Sequence, residues 1–324
     1  MKILLTGGAG YIGSHVALAL LDNGHKVTII DNLSTGNKNL LPPNAEFIEC
    51  DIQDEIIITN LLKKETFDIL MHFAGYIQVE ESVKNPKKYF KNNTENAEIL
   101  FDICAENNLT NIIFSSTAAA YGNPVDERPV SEDKILKPLN PYGESKVQTE
   151  KILKNNSKLK HMILRYFNVA GADPRMRSGL ISKKATHLIK IASEVAIGKR
   201  DKIIVFGNDY PTPDGTAIRD YIHVSDLADI HIKAAEYLIK TQKSEIINCG
   251  YGTGFSVKNV LDTVNKISGK EITTEVGARR VGDSSMLVSD ISRLNNLFHW
   301  KPQYNDLSFI IKTSIDWEKK LLNK

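Results

Sequence analysis

A doubly wound parallel α/β sheet with a smaller, mixed α/β C-terminal lobe is the fold class this sequence predicts, on three observations. Short apolar runs alternate with helical stretches from the first residues to about Leu164. A glycine-rich turn joins the first apolar run to the first helical stretch. Beyond Asn168 the alternation loosens, and Gly and Pro cluster at Gly171–Pro174 and Gly207–Gly215.

The elements are legible in order. Ile3–Leu5, Val27–Ile30, Glu46–Ile48, Ile69–Phe73, Ile112–Ser115 and Met162–Leu164 read as strands. They are nearly continuous apolar runs, as strands buried on both faces require. Ser14–Asn23, Ile56–Lys64, a long stretch from Pro86 to about Asn107, and Pro141 to about Lys154 read as the helices between them. Pro at a first helical position supports the last two starts. Strands separated by crossovers imply one parallel sheet with right-handed connections. Further on, Lys184–Ile197 and Ser225–Ile239 read as helices, the second opening on a Ser-Asp cap. Ile203–Phe206 and Ile272–Val276 read as strands, and Ile246-Ile247 as a return to the main sheet. A chain of 324 residues suits two lobes. The expected division is 1–167, with a segment near 217–248 returning to it, and 168–324.

Composition excludes several classes of function. With 41 basic and 39 acidic residues the net charge is +2, so no nucleic acid or membrane partner is expected. Cys50, Cys104 and Cys249 are dispersed and form no CxxC, and the eight histidines form no HExxH. No disulfide and no metal site is therefore expected, and a reducing compartment fits. The apolar start Ile3–Leu5 is too short for a signal peptide, and no run approaches the ~20 residues of a spanning helix. The expectation is a cytoplasmic protein.

The glycine-rich turn is Thr6-Gly7-Gly8-Ala9-Gly10-Tyr11-Ile12-Gly13-Ser14-His15. Between a strand and a helix, such glycines let the backbone approach a pyrophosphate, and the helix N-terminus offers N–H groups and partial positive charge. That is a Rossmann-type dinucleotide cradle. Asp31 ends the second strand, 18 residues after Gly13. A carboxylate there accepts bonds from both adenosine ribose hydroxyls and repels a 2′-phosphate, which selects NAD. Asp51 and Ile52, at the end of the third strand, are placed to flank the adenine.

Tyr142 and Lys146 stand four apart in Tyr142-Gly143-Glu144-Ser145-Lys146, one turn apart on one helix face. Asn140 can cap that helix, with Pro141 in its first turn. A free phenol titrates near ~10. A cation ~4 Å away at an effective dielectric of ~20 contributes about 4 kcal/mol, or about three pK units, before desolvation subtracts. Lys146, the helix dipole and a nicotinamide cation are thus expected to bring Tyr142 near neutrality for general acid–base work. A Tyr/Lys pair alone is a common surface pattern. Here it follows the fifth strand's Phe114-Ser115-Ser116-Thr117, which brings the Thr117 hydroxyl to the same crevice.

Taken together these segments resemble the UDP-glucose 4-epimerase family of extended short-chain dehydrogenases/reductases. The matching segments run nearly end to end: the Gly7–His15 turn, Asp31-Asn32-Leu33-Ser34, His72-Phe73-Ala74-Gly75, Phe114–Gly122, Pro141–Lys146, Leu164-Arg165-Tyr166-Phe167-Asn168, Phe206–Thr212 and Arg219-Asp220-Tyr221-Ile222-His223-Val224. The resemblance implies a hydride shuttle at the sugar C4, without net redox, on tightly bound NAD. Tyr142 would move the proton of the 4-hydroxyl, Lys146 would assist it, and Thr117 would hold the 4-oxygen. It implies a cofactor site built from Gly7, Gly10, Tyr11, Ile12, Gly13, Asp31, Asn32, Leu33, Ser34, Thr35, Gly36, Asp51, Ile52, Phe73, Ala74, Gly75, Asn92, Ser115, Tyr142, Lys146 and Phe167. The UDP-sugar would be held by Thr117, Asn168, His187, Leu188, Phe206, Arg219, Tyr221, Arg280, Asp283 and Leu287. Guanidinium groups fork onto pyrophosphate oxygens and a carboxylate suits ribose hydroxyls.

Three positions depart from the family pattern. Ile77 stands where many relatives carry Lys near the nicotinamide, and His187 where some carry Asn at the uridine. Leu287 replaces a bulky aromatic of narrow-specificity members. The smaller side chain leaves room for an N-acetyl group, which implies turnover of UDP-N-acetylglucosamine and UDP-N-acetylgalactosamine as well. A nucleotide-sugar dehydratase of the same fold is the nearest alternative, but its relatives place Asp-Glu after the active-site Thr, where this chain has Ala118-Ala119. A non-catalytic NAD sensor is a second alternative, against which the retained Tyr142–Lys146 pair argues. The resemblance also implies a homodimer through the helices of about Pro86–Asn107 and Pro141–Lys154.

Overall fold

The computed structural model describes residues 1–124, 129–182, 185–280 and 283–323. The chain runs β1 (Lys2–Thr6), α1 (Tyr11–Asp22), β2 (Lys26–Asp31), β3 (Glu46–Glu49), α2 (Glu55–Lys64), β4 (Ile69–His72), α3 (Val79–Lys84), α4 (Pro86–Phe90), a π-helical turn (Lys91–Glu95), α5 (Asn96–Glu106), β5 (Asn111–Thr117), α6 (Pro141–Asn155) and β6 (Lys160–Tyr166). It continues as β7 (Asn168–Ala170), α7 (Leu188–Ala196), β8 (Ile203–Phe206), β9 (Ile218–His223), α8 (Val224–Thr241), β10 (Glu245–Cys249), β11 (Gly254–Ser256), α9 (Val257–Ser268), β12 (Thr274–Gly277), β13 (Met286–Leu287), α10 (Ser292–Phe298) and α11 (Leu307–Leu322).

Two compact units result. The first comprises 1–120, 135–166 and 228–247, and the second 121–134, 167–227 and 248–324. The first is organised by a seven-stranded sheet of order β10-β6-β5-β4-β1-β2-β3, with β1 to β6 parallel. The order reverses between β1 and β4, the switch point outside which ligands bind in doubly wound sheets. Every residue of β4 and most of β1 is buried, as the unbroken apolar runs predict. Leu4, Leu70, Ile112 and Phe114 meet Leu100, Phe101 and Leu153 of α5 and α6 in the core. Ile246-Ile247 does return to this sheet, as its edge strand.

The helix expected from Pro86 is present but divided. Asn85 caps it, with its side chain accepting from Lys88 N, and Pro86 takes the first turn. At Lys91-Asn92-Asn93-Thr94-Glu95 the ladder loosens to a π turn. Asn and Thr side chains compete for backbone partners, and these do: Thr149 Oγ1 donates to Asn93 O at 2.7 Å and Thr94 Oγ1 to Ser145 O at 3.0 Å. Helix α3, with no strong apolar period of its own, was not expected. On α6 the expected cap holds: Asn140 Oδ1 accepts from Gly143 N at 2.9 Å.

In the second unit β9 is central, antiparallel to β11 and parallel to β13 and β7. Parallel β8 and β12 form a separate ribbon. Strands β11 and β13 are three and two residues long, too short for a period to show. Helix α8 begins at Val224, so Ser225 is not its cap. Instead Ser225 N donates to His223 Nδ1 at 3.1 Å. The start expected at Lys184 falls outside the described residues, and α7 opens at Leu188.

One buried ion pair ties α6 to the sheet. Arg165 of β6 reaches Glu150 at 2.7 and 3.0 Å, both side chains being at most 3% exposed, and Ser116 Oγ of β5 donates to Glu150 Oε1 at 2.5 Å. Removing one partner strands the other charge in the core. Arg165→Met is expected to lower unfolding stability by about 3–5 kcal/mol, measured by urea denaturation.

Candidate active site

The glycine-rich turn leads from β1 into α1 as expected. Gly7 has φ +74°, and a Cβ there would stand 2.5 Å from Ala74 N, in the segment leaving β4. A Cβ on Gly13 would run into the Gly7 carbonyl. The turn is therefore packed against itself and against the end of β4, at the switch point. No side chain caps α1 and its first turn carries no acidic residue, which leaves the helix N-terminus to an anionic ligand.

Asp31 stands beside this turn at the end of β2. Its Oδ2 accepts from Ala9 N at 2.9 Å and its Oδ1 from Leu33 N at 2.8 Å. Burial raises its pKa, and these two N–H bonds oppose that. A carboxylate offers about four lone-pair sites, so two remain for ribose hydroxyls. Leu33 takes φ +58° and Ser34 N donates to Asn32 Oδ1 at 3.0 Å, so the 31–36 segment folds back. A Cβ on Gly36 would stand 2.8 Å from Asp31 Oδ1, which places this segment, Thr35 included, around the acid. Asn32 Nδ2 donates to Asp51 Oδ2 at 2.7 Å, and Ile52 is buried next along the chain. Tyr11 packs edge-on against His15 at 5.2 Å, and Ile12 lies in the first turn of α1. A cradle that a Cβ would fill and an acid with spare acceptors fit an adenine dinucleotide.

Tyr142 and Thr117 are neighbours, close enough for the threonine hydroxyl to act on the phenol. Lys146 does not bond Tyr142. Its Nζ, on a side chain 2% exposed, donates to Ser115 O at 3.0 Å and lies over the Phe114 ring at 4.9 Å. A Cβ on Gly75 would stand 3.2 Å from that nitrogen. Burial pulls the ammonium down to about 8, with the charge of Glu150 opposing. Burial also pushes the Tyr142 phenol above its ordinary 10.0, with the Thr117 hydroxyl opposing. The expected lowering includes the nicotinamide cation; within the chain itself desolvation leads, and the lysine faces a carbonyl and a ring.

Asn92, expected at the cofactor, donates from Nδ2 to Asn93 Oδ1 at 3.1 Å. Asn93, which no motif marks, is 1% exposed and uses its whole amide. Asn93 Oδ1 accepts from Tyr76 N at 2.9 Å, and Nδ2 donates to Tyr76 O at 2.9 Å and Ser145 Oγ at 3.1 Å. It joins the Gly75-Tyr76 segment to the residue before Lys146. A lone Asn in a polar run carries no period, so only the π turn reveals it. Phe73 packs on His231 at 5.0 Å. Phe167, expected at the cofactor, belongs to the second unit, where its ring meets Tyr121 at 6.4 Å.

The expected nucleotide anchors lie in the second unit. Arg219 and Asp283 form an ion pair, and Arg219 Nη1 also donates to Ile218 O at 2.8 Å. Leu287 pairs in register with Arg219, half-buried. Arg280 lies on the Phe206 ring at 4.0 Å, and Asp283 N donates to Arg280 O at 3.2 Å. Tyr221 is buried in β9, in register with exposed Asn168 of β7. His187 is the N-cap of α7 and Leu188 its first residue. Exposed Ile77 follows Tyr76. Among the described residues no cluster of His, Cys, Asp or Glu is arranged for a metal, and no helix is long and apolar enough to cross a membrane.

The NAD dependent epimerase/dehydratase family model matches residues 3–250. The chain belongs to this family. It is 44% identical to the UDP-glucose 4-epimerase of Azospirillum brasilense, over 99% of this chain and 92% of that one. The solved UDP-Glc/GlcNAc 4-epimerase of Campylobacter jejuni is 47% identical, with a TM-score of 0.86 over 98% of this chain and 99% of that one. The UDP-glucose-4-epimerase of Stenotrophomonas maltophila, solved with bound NAD and formylated UDP-arabinopyranose, gives a TM-score of 0.95 at 31% identity, over 100% and 99%. The family inferred from the motifs is the one found, and its NAD dependence matches the cradle and Asp31.

The buried lysine gives a pH test with a definite sign. Between pH 8 and the ordinary 10.5 the unfolded chain binds more protons at Lys146 than the folded one, so this group's contribution to stability rises with pH. Wild type is expected to gain on the order of 3 kcal/mol relative to Lys146→Met between pH 7.5 and 10.5 in paired urea denaturations.

Proposed function

We propose that the chain is a UDP-glucose 4-epimerase, an isomerase that interconverts UDP-glucose and UDP-galactose through a 4-keto sugar. The observation that carries this reading is Tyr142 beside the Thr117 hydroxyl, on the helix whose Lys146 is buried against Ser115 O and the Phe114 ring. NAD, when bound, accepts the C4 hydride of the sugar and returns it. Tyr142 takes the proton of the 4-hydroxyl and gives it back, while Thr117 holds the 4-oxygen. A phenol whose proton affinity is raised by burial is an effective base once ionised. The first unit carries Gly7, Gly10, Tyr11, Ile12, Gly13, Asp31 and the residues after them, assigned to the cofactor. To the second belong Asn168, Phe206, Arg219, Arg280 and Asp283, assigned to the nucleotide.

The dehydratase alternative needs an acid and base after the active-site threonine. Ala118 and Ala119 occupy those places, and Ala119 N donates to Thr117 Oγ1 at 3.1 Å. Leu287, beside Arg219, favours substrates with an N-acetyl group at C2 in addition to the hexoses. The reading includes a homodimer through the helices of 86–107 and 141–154, with exposed Ile99 on the first. It places the chain in the cytoplasm, where three free, buried cysteines are at home.

Tyr142→Phe is expected to reduce epimerisation of UDP-galactose at least ~10³-fold while the purified protein retains NAD, measured by coupled assay and by release of cofactor on denaturation. A full rate would remove Tyr142 from the mechanism. Wild type is expected to turn over UDP-N-acetylgalactosamine as well, and Leu287→Tyr to lose that activity at least about 10-fold more than the hexose activity. Equal losses on both substrates would remove Leu287 as the selecting residue.

A further inference from the structure

The segment Gly75–Gln78, between β4 and α3, lies outside every strand named above, yet its backbone is paired at alternate residues by two side chains. Asn93 bonds both the N–H and the carbonyl of Tyr76. The Tyr89 hydroxyl does the same for Gln78, accepting from its N–H at 3.0 Å and donating to its carbonyl at 2.7 Å. Glu81 of α3 stands 2.9 Å from that hydroxyl and is ion-paired with Lys88 at 2.8 Å. The Lys88 ammonium in turn lies over the Tyr76 ring at 4.0 Å. Tyr89 is fully buried, and its ring meets Tyr76 at 5.8 Å and Tyr142 at 6.5 Å, the latter edge-to-face at 78°.

We propose that Tyr89 is a positioning residue for Tyr142: its ring fixes the rotamer from which the Tyr142 phenol meets Thr117, and Gln78 and Glu81 hold Tyr89 in place. A tyrosine ring rotates in a broad torsional well, so its neighbours set its angle. Edge-to-face contact supplies that direction. A reacting group displaced by ~1 Å costs on the order of 10²-fold in rate. Tyr89 touches neither substrate nor cofactor in this account. The proposal rests on Tyr142 as the proton carrier.

The test is steady-state epimerisation of UDP-galactose by the NAD-loaded enzyme, with kcat, KM and the pH profile of kcat for each variant. Tyr89→Leu is expected to lower kcat about 30-fold, leave KM within about 2-fold and move a limb of the pH profile by at least ~0.5 unit. Tyr89→Phe keeps the ring and is expected to recover most of this, staying about 3- to 5-fold below wild type, with Glu81→Gln similar. A kcat within 2-fold of wild type in Tyr89→Leu overturns the proposal, as does a loss of kcat with an unmoved pH profile. Should Tyr89→Leu fail to fold, the other two variants decide: lowered kcat at constant KM supports the proposal, and wild-type values in both overturn it. An active Tyr142→Phe, or an inactive wild type, would instead overturn the reading of Tyr142 and is distinguished by those two controls.

Discussion

Burying the Lys146 ammonium is the constraint around which the first unit is arranged. A cation taken out of water costs several kcal/mol unless it is compensated. Here the compensation is one carbonyl, from Ser115, one aromatic face, from Phe114, and a carboxylate one turn along α6, Glu150. Glu150 is itself balanced by Arg165 and Ser116. The charges thus alternate from helix to sheet. Ser115, Phe114 and Arg165 are held in place because β5 and β6 are inner strands paired in register over seven residues. The lysine remains half-tuned, near 8, which is where a group must be if its charge is to respond to what binds beside it.

The same economy of partners holds the residues around the lysine. Beyond β4 the chain leaves the sheet at the switch point, and its amides would otherwise have to find water. Asn93 and Tyr89 supply the missing ladder from side chains on adjacent turns. The π turn makes this possible, because its loosened ladder leaves the Asn93 carbonyl for Thr149 while the amide turns inward. Local helix geometry is thereby exchanged for contact with α6, and α6 carries both Tyr142 and Lys146.

Much of this was legible in the sequence, for identifiable reasons. Strands buried on both faces are apolar throughout, so β1, β2, β4 and β5 announced themselves. The Gly7–Gly13 turn and Asp31 were legible because each position answers a steric or charge requirement that few residues meet. Asn140-Pro141 marked the start of α6 because a cap and a first-turn proline do one thing each. Asn93, Tyr89 and α3 were not legible. Their roles come from what they touch across 11 to 56 residues of chain, and no period or spacing records that. The surroundings of Lys146 were hidden for a related reason: spacing shows that it shares a helix face with Tyr142, but not that Ser115 and Phe114 claim it. In the second unit the expected anchors are individual residues, and the pairing of Arg219 with Asp283 was not readable from spacing.

That pairing bears on how a charged nucleotide would be received. Arg219 is 13% exposed and Asp283 30%, so either charge left alone would be costly. Paired with each other, they wait without an unmatched charge. A diphosphate that took the guanidinium would release the carboxylate toward ribose hydroxyls, so one ion pair would be replaced by another plus neutral hydrogen bonds. The net gain from such an exchange is small compared with the gross Coulomb attraction. Nearby, the Phe206 ring carries the Arg280 guanidinium against its face, a second cation beside the pair. Charges arranged in this way would set register and select an anionic ligand more than they would supply affinity.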